Sequence, residues 1–235
     1  MRRKIEVRQA KVDDLEALLL VEEKAWPERL RASREMYESR LHTFPEGTLV
    51  AEVEGKIEGV VVVQILNFSS TPHIRTWNET TDHGYIRNSH DPKGNTLYGV
   101  NLSASPRTQS RVGVALLEAV GKLAIRHNFK QIVLGGRIPS FARYLRQYRE
   151  KKGISVISDE KRDKVAEHYI QATTRREHPL DPEISFYKKA GMKIIKLLPN
   201  YFEDPGSLNY GVLLLWTNPF YGKPFRRFWT WWFRL

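Results

Sequence analysis

The stretch from Leu49 to Leu66 limits the fold more than any other part of this chain. Leu49, Ala51 and Val53 alternate with their neighbours, Glu54-Gly55-Lys56 follows, and an apolar run then extends over Ile57–Leu66. Two runs of this kind separated by Glu-Gly predict a tight β-hairpin, because the turn needs residues that tolerate positive φ. A hairpin is stable only when its hydrophobic face is covered, so helices elsewhere in the chain must pack on it.

Those helices and the remaining strands are readable from periodicity. Ile5 and Val7 give a short first strand. Asp13 or Asp14 stands where it can cap a helix carrying Leu15, Leu18 and Leu19, and a second helix begins near Ser33 and ends before Pro45. Residues 67–95 show no regular element and read as a long loop, which is often functional when ordered. Thr96–Ser103 follows as a strand that stops at Pro106, and Val112, Leu116, Ala119, Val120 and Leu123 then share one helical face. Gln131–Leu134 is a fifth strand closed by Gly135-Gly136. Residues 137–182 read as a helical insertion, with Ser140 and Ser158 as its capping residues. Asp181-Pro182-Glu183 combines a capping side chain, a proline at the first helical position and an acid near the positive dipole end. That helix ends at Gly191, and Met192–Leu198 and Tyr210–Trp216 supply two more strands. The order predicts a mixed α/β domain over residues 1–219, with a mostly antiparallel central sheet of about seven strands and flanking helices. A basic aromatic tail follows at 220–235.

Composition removes several function classes. The 235 residues include no cysteine, which excludes a disulfide framework, a thiolate metal site and a cysteine nucleophile. The seven histidines lack paired metal-ligand spacing, so no metal centre is expected. No Gly-x-Ser-x-Gly elbow or P-loop is present. The formal charge is +11, yet the basic clusters at Arg149–Lys152 and Lys161–Lys164 are mixed with acids and read as solvated helix surface. With no recognisable motif, specific nucleic-acid binding is not expected. The basic N-terminus leads into no apolar signal region, and stretches such as Val60–Val63 are far too short to cross a bilayer, so the cytoplasm is the expected location.

The late helix ends in Phe186-Tyr187-Lys188-Lys189-Ala190-Gly191-Met192, a Phe-Tyr-x-x-x-Gly-hydrophobic motif. Together with the element order, this motif resembles the GNAT superfamily of N-acetyltransferases over residues 4–219. Thr76-Trp77-Asn78-Glu79-Thr80, His90-Asp91-Pro92, Leu97-Tyr98-Gly99, Gly135-Gly136-Arg137-Ile138-Pro139 and Leu198-Pro199-Asn200-Tyr201 resemble, more narrowly, a subgroup sometimes fused to carbon–nitrogen hydrolase domains. The resemblance implies acetyl transfer from acetyl-CoA to a primary amine, on a small molecule or a peptide, by direct attack. It implies that the pantetheine arm pairs with the backbone at Leu102, Ser103 and Ala104. The pyrophosphate would meet the helix N-terminus formed by Arg107, Gln109, Ser110, Arg111, Val112, Gly113, Val114 and Ala115, where exposed N–H groups suit an anion. The usual pattern there is Gln/Arg-x-x-Gly-x-Gly/Ala. This chain keeps the second glycine as Gly113, places Arg111 at the first, and has Thr108 in place of Gln/Arg. Arg107 and Arg111 bring two cations to the same turn.

Tyr187 stands where many members set a tyrosine against the CoA sulfur, which implies a role as the acid for the departing thiolate. Asp181 stands where many carry asparagine, and its plainer role is as the helix cap. A general base is expected in the long loop, where Glu79, His83, His90 and Asp91 are candidates and Glu79 is chosen for its place beside Trp77. The competing expectation is a catalytically silent GNAT-like binding or regulatory module.

The tail has its own pattern. On a helical projection Phe225, Phe228, Trp229, Trp232 and Leu235 share one face, with Arg226, Arg227, Thr230 and Arg234 largely opposite. Such a face can fold back on its own domain, form a homodimer, or meet an anionic membrane surface.

Overall fold

The computed structural model describes residues 4–68 and 76–234, with the backbone alone for Gln109, Ser110 and Arg227. Among these residues the strands are β1 (Ile5–Gln9), β2 (Thr48–Val53), β3 (Lys56–Leu66), β4 (Thr96–Ala104), β5 (Gln131–Arg137), β6 (Lys193–Leu198) and β7 (Gly211–Thr217). The helices are α1 (Leu15–Ala25), α2 (Arg34–Thr43), α3 (Trp77–Thr81), α4 (Gln109–Arg126), α5 (Phe141–Lys152), α6 (Asp159–Gln171), α7 (Pro182–Lys189) and α8 (Arg226–Trp232). The strands form one seven-stranded sheet in the order β1-β2-β3-β4-β5-β7-β6. The pairs β1–β2, β2–β3, β3–β4 and β6–β7 are antiparallel. This is the mixed α/β architecture expected from the sequence.

By internal packing the described chain divides into two compact units, the first comprising residues 4–68, 78–133 and 217–234 and the second residues 76–77 and 134–216. In the first, Glu54 (φ 52°) and Gly55 (φ 76°) both take left-handed conformations, as a type I′ turn requires, and close the β2–β3 hairpin. On β4, Asn101 faces Val62 and Gly99 faces Val63, so the strand carries one extra residue, Val100. A bulge of this kind bends the strand and increases its twist.

A buried carboxylate ties the first unit together. Glu22 of α1 is 1% exposed, and its Oε1 accepts from Tyr37 Oη (2.9 Å) on α2 and from Asn101 Nδ2 (2.8 Å) and Ser103 Oγ (2.6 Å) on β4. Its Oε2 accepts the Ala32 N–H at 2.9 Å. Ser103 Oγ in turn accepts from Trp26 Nε1 at 2.6 Å. Every neighbour is a donor, which suits an ionised carboxylate that can only accept. Burial and the Glu22 charge push the Tyr37 phenol well above its ordinary value, so it remains a donor.

Several local expectations change. Asp14 occupies the N-cap position of α1, but its carboxylate makes no capping bond there and instead accepts from Arg8 at 2.7 and 2.9 Å. Its Oδ2 also accepts the Lys11 N–H at 2.7 Å, and its own backbone is already helical (φ −83°, ψ −6°) rather than extended as a capping residue requires. The 67–95 segment contains α3, whose five residues are too few to show a period in sequence. Gly135 and Gly136 lie inside β5 rather than ending it, because a Cβ at Gly135 would lie 2.1 Å from Tyr201 Cζ. Residues 137–182 do hold two helices, α5 and α6, of which Ser158 caps the second while Ser140 makes no side-chain cap bond.

The tail folds back as α8 against α4, and Gly121 makes room for it: a Cβ there would lie 2.4 Å from Phe233 Cε1. The docked face is not the one the helical projection selects. Thr230 is buried at 8% exposure, whereas Phe225, Phe228 and Trp232 stay exposed; Leu235 lies outside the described residues. The helix is only one and a half to two turns long, so the chain on either side sets which face docks.

Two substitutions test these packing arguments. Gly135→Ala should lower unfolding free energy by about 1–3 kcal/mol through overpacking against Tyr201, whereas a variant as stable as wild type would mean that Tyr201 moves away at no cost. Glu22→Gln keeps the shape but sets an NH2 against obligate donors, so denaturant titration should show a loss of about 1–3 kcal/mol. No change in midpoint would contradict the network.

Candidate functional site

In the first unit β4 runs into the turn Ser105-Pro106-Arg107-Thr108 and then into α4. Arg111 N and Val112 N both donate to Thr108 O, at 3.1 and 3.0 Å, which starts the helix. Thr108 makes no side-chain cap bond, and the first turn of α4 contains no acid. The end of the helix that carries partial positive charge is therefore not neutralised by its own side chains. Arg107 and Arg111 are exposed at this turn. Ser105 is 4% exposed, and its Oγ is buried with no hydrogen-bond partner. A buried hydroxyl in that condition is costly unless a ligand or water satisfies it.

The other residues assigned to this segment are placed as follows. Val112 and Gly113 are buried, and Val112 Cγ1 lies where a Cβ on Gly59 would come within 2.3 Å, so Gly59 lets α4 approach β3. Val114 is 38% exposed and Ala115 half-buried. Gln109 and Ser110 open the helix, but their side chains lie outside the described residues. On β4, Leu102 is half-buried and Ala104 buried, while the Ser103 hydroxyl is committed to Glu22 and Trp26. The Ser103 side chain is thus structural, and its backbone is what remains for a ligand.

Glu79 is exposed on α3. The loop around it is held by Gln64 of β3, fully buried, whose Nε2 donates to Thr80 O (2.8 Å) and whose Oε1 accepts from Ser89 Oγ (2.7 Å). His90 is structural: its Nδ1 accepts the Ile65 N–H at 3.2 Å, its ring lies 4.8 Å from Phe44, and burial lowers its pKa. Asp91 Oδ1 accepts the Lys93 N–H at 2.9 Å as a turn former, and His83 is exposed.

The second unit assembles a different constellation around α7. Asp181 caps this helix, accepting from Glu183 N (3.0 Å) and Ile184 N (3.3 Å), and its other oxygen accepts from Tyr169 Oη at 3.0 Å. The cap fixes where the helix begins, and hence which residues point inward. Glu183 and Tyr187 lie one turn apart. Arg137, at the end of β5, donates to Glu183 Oε1 at 2.6 Å and stands 3.6 Å from Asp204 Oδ2. Gly136 sits beneath Tyr187: a Cβ there would lie 3.4 Å from Tyr187 Cε2.

The electrostatics of this cluster are informative. Burial pushes the Glu183 carboxyl up to about 7 although Arg137 pulls it down. Tyr187 is 9% exposed, and burial followed by the Glu183 charge raises its phenol far above the ordinary value. Its ring packs edge-on against Phe186 with centroids 5.2 Å apart. A carboxyl poised near neutrality beside a protonated phenol is a proton-handling arrangement.

The sequence points to Tyr187 and the α4 turn as candidates, whereas the Arg137–Glu183 pair and the Glu22 network emerge only from the structure. Glu183 was readable as a first-turn acid, and its spacing of four before Tyr187 was the available signal. Arg137 lay within the Gly-Gly-Arg-Ile-Pro phrase with nothing in sequence to name its partner.

Comparison with known proteins agrees with this layout. No family model matches the chain. The uncharacterized N-acetyltransferase YkwB of Bacillus subtilis (strain 168) is 32% identical over 215 residues, which cover 89% of this chain and 87% of YkwB. The probable hydrolase YhcX of the same organism is 31% identical over 218 residues, covering 92% of this chain and 39% of YhcX. Among solved structures, the GphF GNAT-like decarboxylase in complex with isobutyryl-CoA matches with a TM-score of 0.69 and 27% identity, over 91% of this chain and 99% of that one. With the α4 turn, the Phe186-Tyr187 motif, the sheet order and a relative matched over nearly its whole length, the chain belongs to the GNAT N-acetyltransferase superfamily.

Proposed function

We propose that this chain transfers the acetyl group of acetyl-CoA to a primary amine, on a small molecule or a peptide, by direct attack. The observation that carries the reading is the acid-free N-terminus of α4, flanked by exposed Arg107 and Arg111 and by the orphaned Ser105 hydroxyl. Backbone N–H groups and two cations suit the pyrophosphate of CoA. The backbone at Leu102, Ser103 and Ala104 would pair with the pantetheine arm. The similarity to a structure holding isobutyryl-CoA supports an acyl-CoA donor.

In the reaction the amine lone pair attacks the thioester carbonyl carbon, the C–S bond breaks, and the sulfur leaves as thiolate. The attacking nitrogen gives up a proton to a base, and the thiolate ends protonated as free CoA. Tyr187, raised above an ordinary phenol, stays protonated at neutral pH and donates a hydrogen bond to the developing thiolate, which takes its proton from solvent as free CoA departs. Two carboxylates are candidates for the base: Glu79, from its place in the loop, and Glu183, whose pKa near 7 suits the role better.

A second reading rests on the GphF similarity, since that protein is named a decarboxylase. A carboxylated acyl-CoA would lose carbon dioxide, the electron pair of the broken C–C bond remaining as a thioester enolate that takes a proton to give the shorter acyl-CoA; malonyl-CoA is the simplest such probe. Malonyl-CoA incubated without amine, with the products identified by mass spectrometry, separates the two. Acetyl-CoA accumulation favours decarboxylation, while no conversion leaves acetyl transfer.

For the transfer reaction, a panel of amines with acetyl-CoA should yield an acetylated product by mass spectrometry. Tyr187→Phe should then lower turnover by about 10²–10⁴-fold while acetyl-CoA affinity is kept. Wild-type turnover in that variant, with chemistry rate-limiting, would make Tyr187 a packing residue. If Glu183 is the base, activity should rise as pH climbs through about 7, and Glu183→Gln should abolish that rise while Glu79→Gln preserves it. The reverse pattern assigns Glu79. Glu183 also leaves a stability signature. From its ordinary 4.5 up to about 7, the folded state holds a proton that the unfolded chain has released, so its contribution falls as pH rises through that window. Glu183→Gln should remove this pH dependence from the melting curve.

A further inference from the structure

We propose that the outward face of α8 and its preceding turn is a docking site for an anionic lipid surface. The helix is anchored to α4 through Thr230 and Phe233, and Trp229 stacks on Phe220 at 5.2 Å. That anchoring leaves Phe225 (81%), Trp231 (82%), Trp232 (71%) and Phe228 (55%) exposed on one short segment. Exposure of so much aromatic surface is seldom without a partner.

Charge identifies the partner. Residues 217–235 contain Lys223, Arg226, Arg227 and Arg234 and no aspartate or glutamate. Glu118 of α4 lies 3.4 Å from Arg234 but is shared with Lys122 at 2.6 Å. Arg126, Phe225, Arg226 and Phe228 line a shallow depression, and within this region the Arg226 Nε is buried with no hydrogen-bond partner. Two arginines, one of them with an unpartnered Nε, suit a phosphate oxygen. Aromatic rings around that point suit the layer between headgroups and acyl chains, where the ring body is buried and the cation meets anionic lipid. A second copy docked by two-fold symmetry would instead set these cations against one another. No helix among the described residues is long and apolar enough to cross a membrane, so the contact is peripheral.

The test uses the full chain and sedimentation with vesicles. It should bind phosphatidylcholine vesicles containing phosphatidylglycerol, bind pure phosphatidylcholine far less, and release as salt rises. Soluble glycerol phosphate should not compete at millimolar concentration, because it offers no acyl boundary; effective competition would overturn the lipid assignment in favour of a free phosphate ligand. Arg126→Gln with Arg226→Gln should weaken partition about 30-fold, from roughly 1 kcal/mol per cation near the surface. Trp231→Ala with Trp232→Ala should also weaken it without changing the melting temperature, since both rings are exposed. Equal binding by either double variant, or no binding by the wild type, would overturn the proposal. So would a concentration-dependent dimer that dissociates in the tryptophan variant, because the face would then belong to a second copy.

Discussion

The first unit depends on one carboxylate. Glu22 takes donors from α2, from β4 and from the loop between α1 and α2, so a strand reached at Ser103, 81 positions later, is fixed to the first two helices by a single buried charge. Isolated in an apolar interior that charge would be prohibitive, and four hydrogen bonds are what make it tolerable. The consequence reaches the site directly. Asn101 and Ser103 belong to the strand that leads into the α4 turn, and their side chains are spent holding that strand. What β4 can offer a ligand is therefore backbone, which suits an extended chain such as pantetheine better than a compact polar group.

A comparable economy operates in the second unit. Asp181 sets the start of α7, and four residues separate Glu183 from Tyr187, so the cap decides that both belong to one face. Arg137 then sets the balance. Its charge lowers Glu183 against the effect of burial, and the outcome is a carboxyl near 7 rather than one fully neutral or fully ionised. Helix capping, strand geometry and proton affinity are here consequences of the same few residues.

The fold was largely legible because its signals are local. The Glu54-Gly55 turn, the period-two strands and the Asp181-Pro182 helix start each depend on neighbours a few residues away. What escaped was long-range. Glu22 sits in an ordinary helical sequence, and only its approach to Ser103, 81 positions later, reveals its role. Asp14 is turned from capping α1 because its backbone is already helical and its oxygens serve Arg8 and the Lys11 N–H, while Gly135 stays within β5 where Tyr201 fills the space of a side chain. The tail erred for a different reason: a projection ranks residues by hydrophobicity, whereas docking on α4 selected Thr230 and Phe233, which fit beside Gly121. Tyr187 is a candidate by its motif alone, but no sequence pattern discloses that Arg137 pairs with Glu183.

The central claim is that the turn from β4 into α4 receives an acyl-CoA. Calorimetric titration of acetyl-CoA into the full chain addresses it without knowledge of the acceptor. The account predicts one saturable site per chain, weakened by Arg107→Ala with Arg111→Ala. It also predicts a stabilisation of about 2.7 kcal/mol when ligand stands at about 100 times its dissociation constant. No heat and no rise in melting temperature at millimolar acetyl-CoA would contradict it.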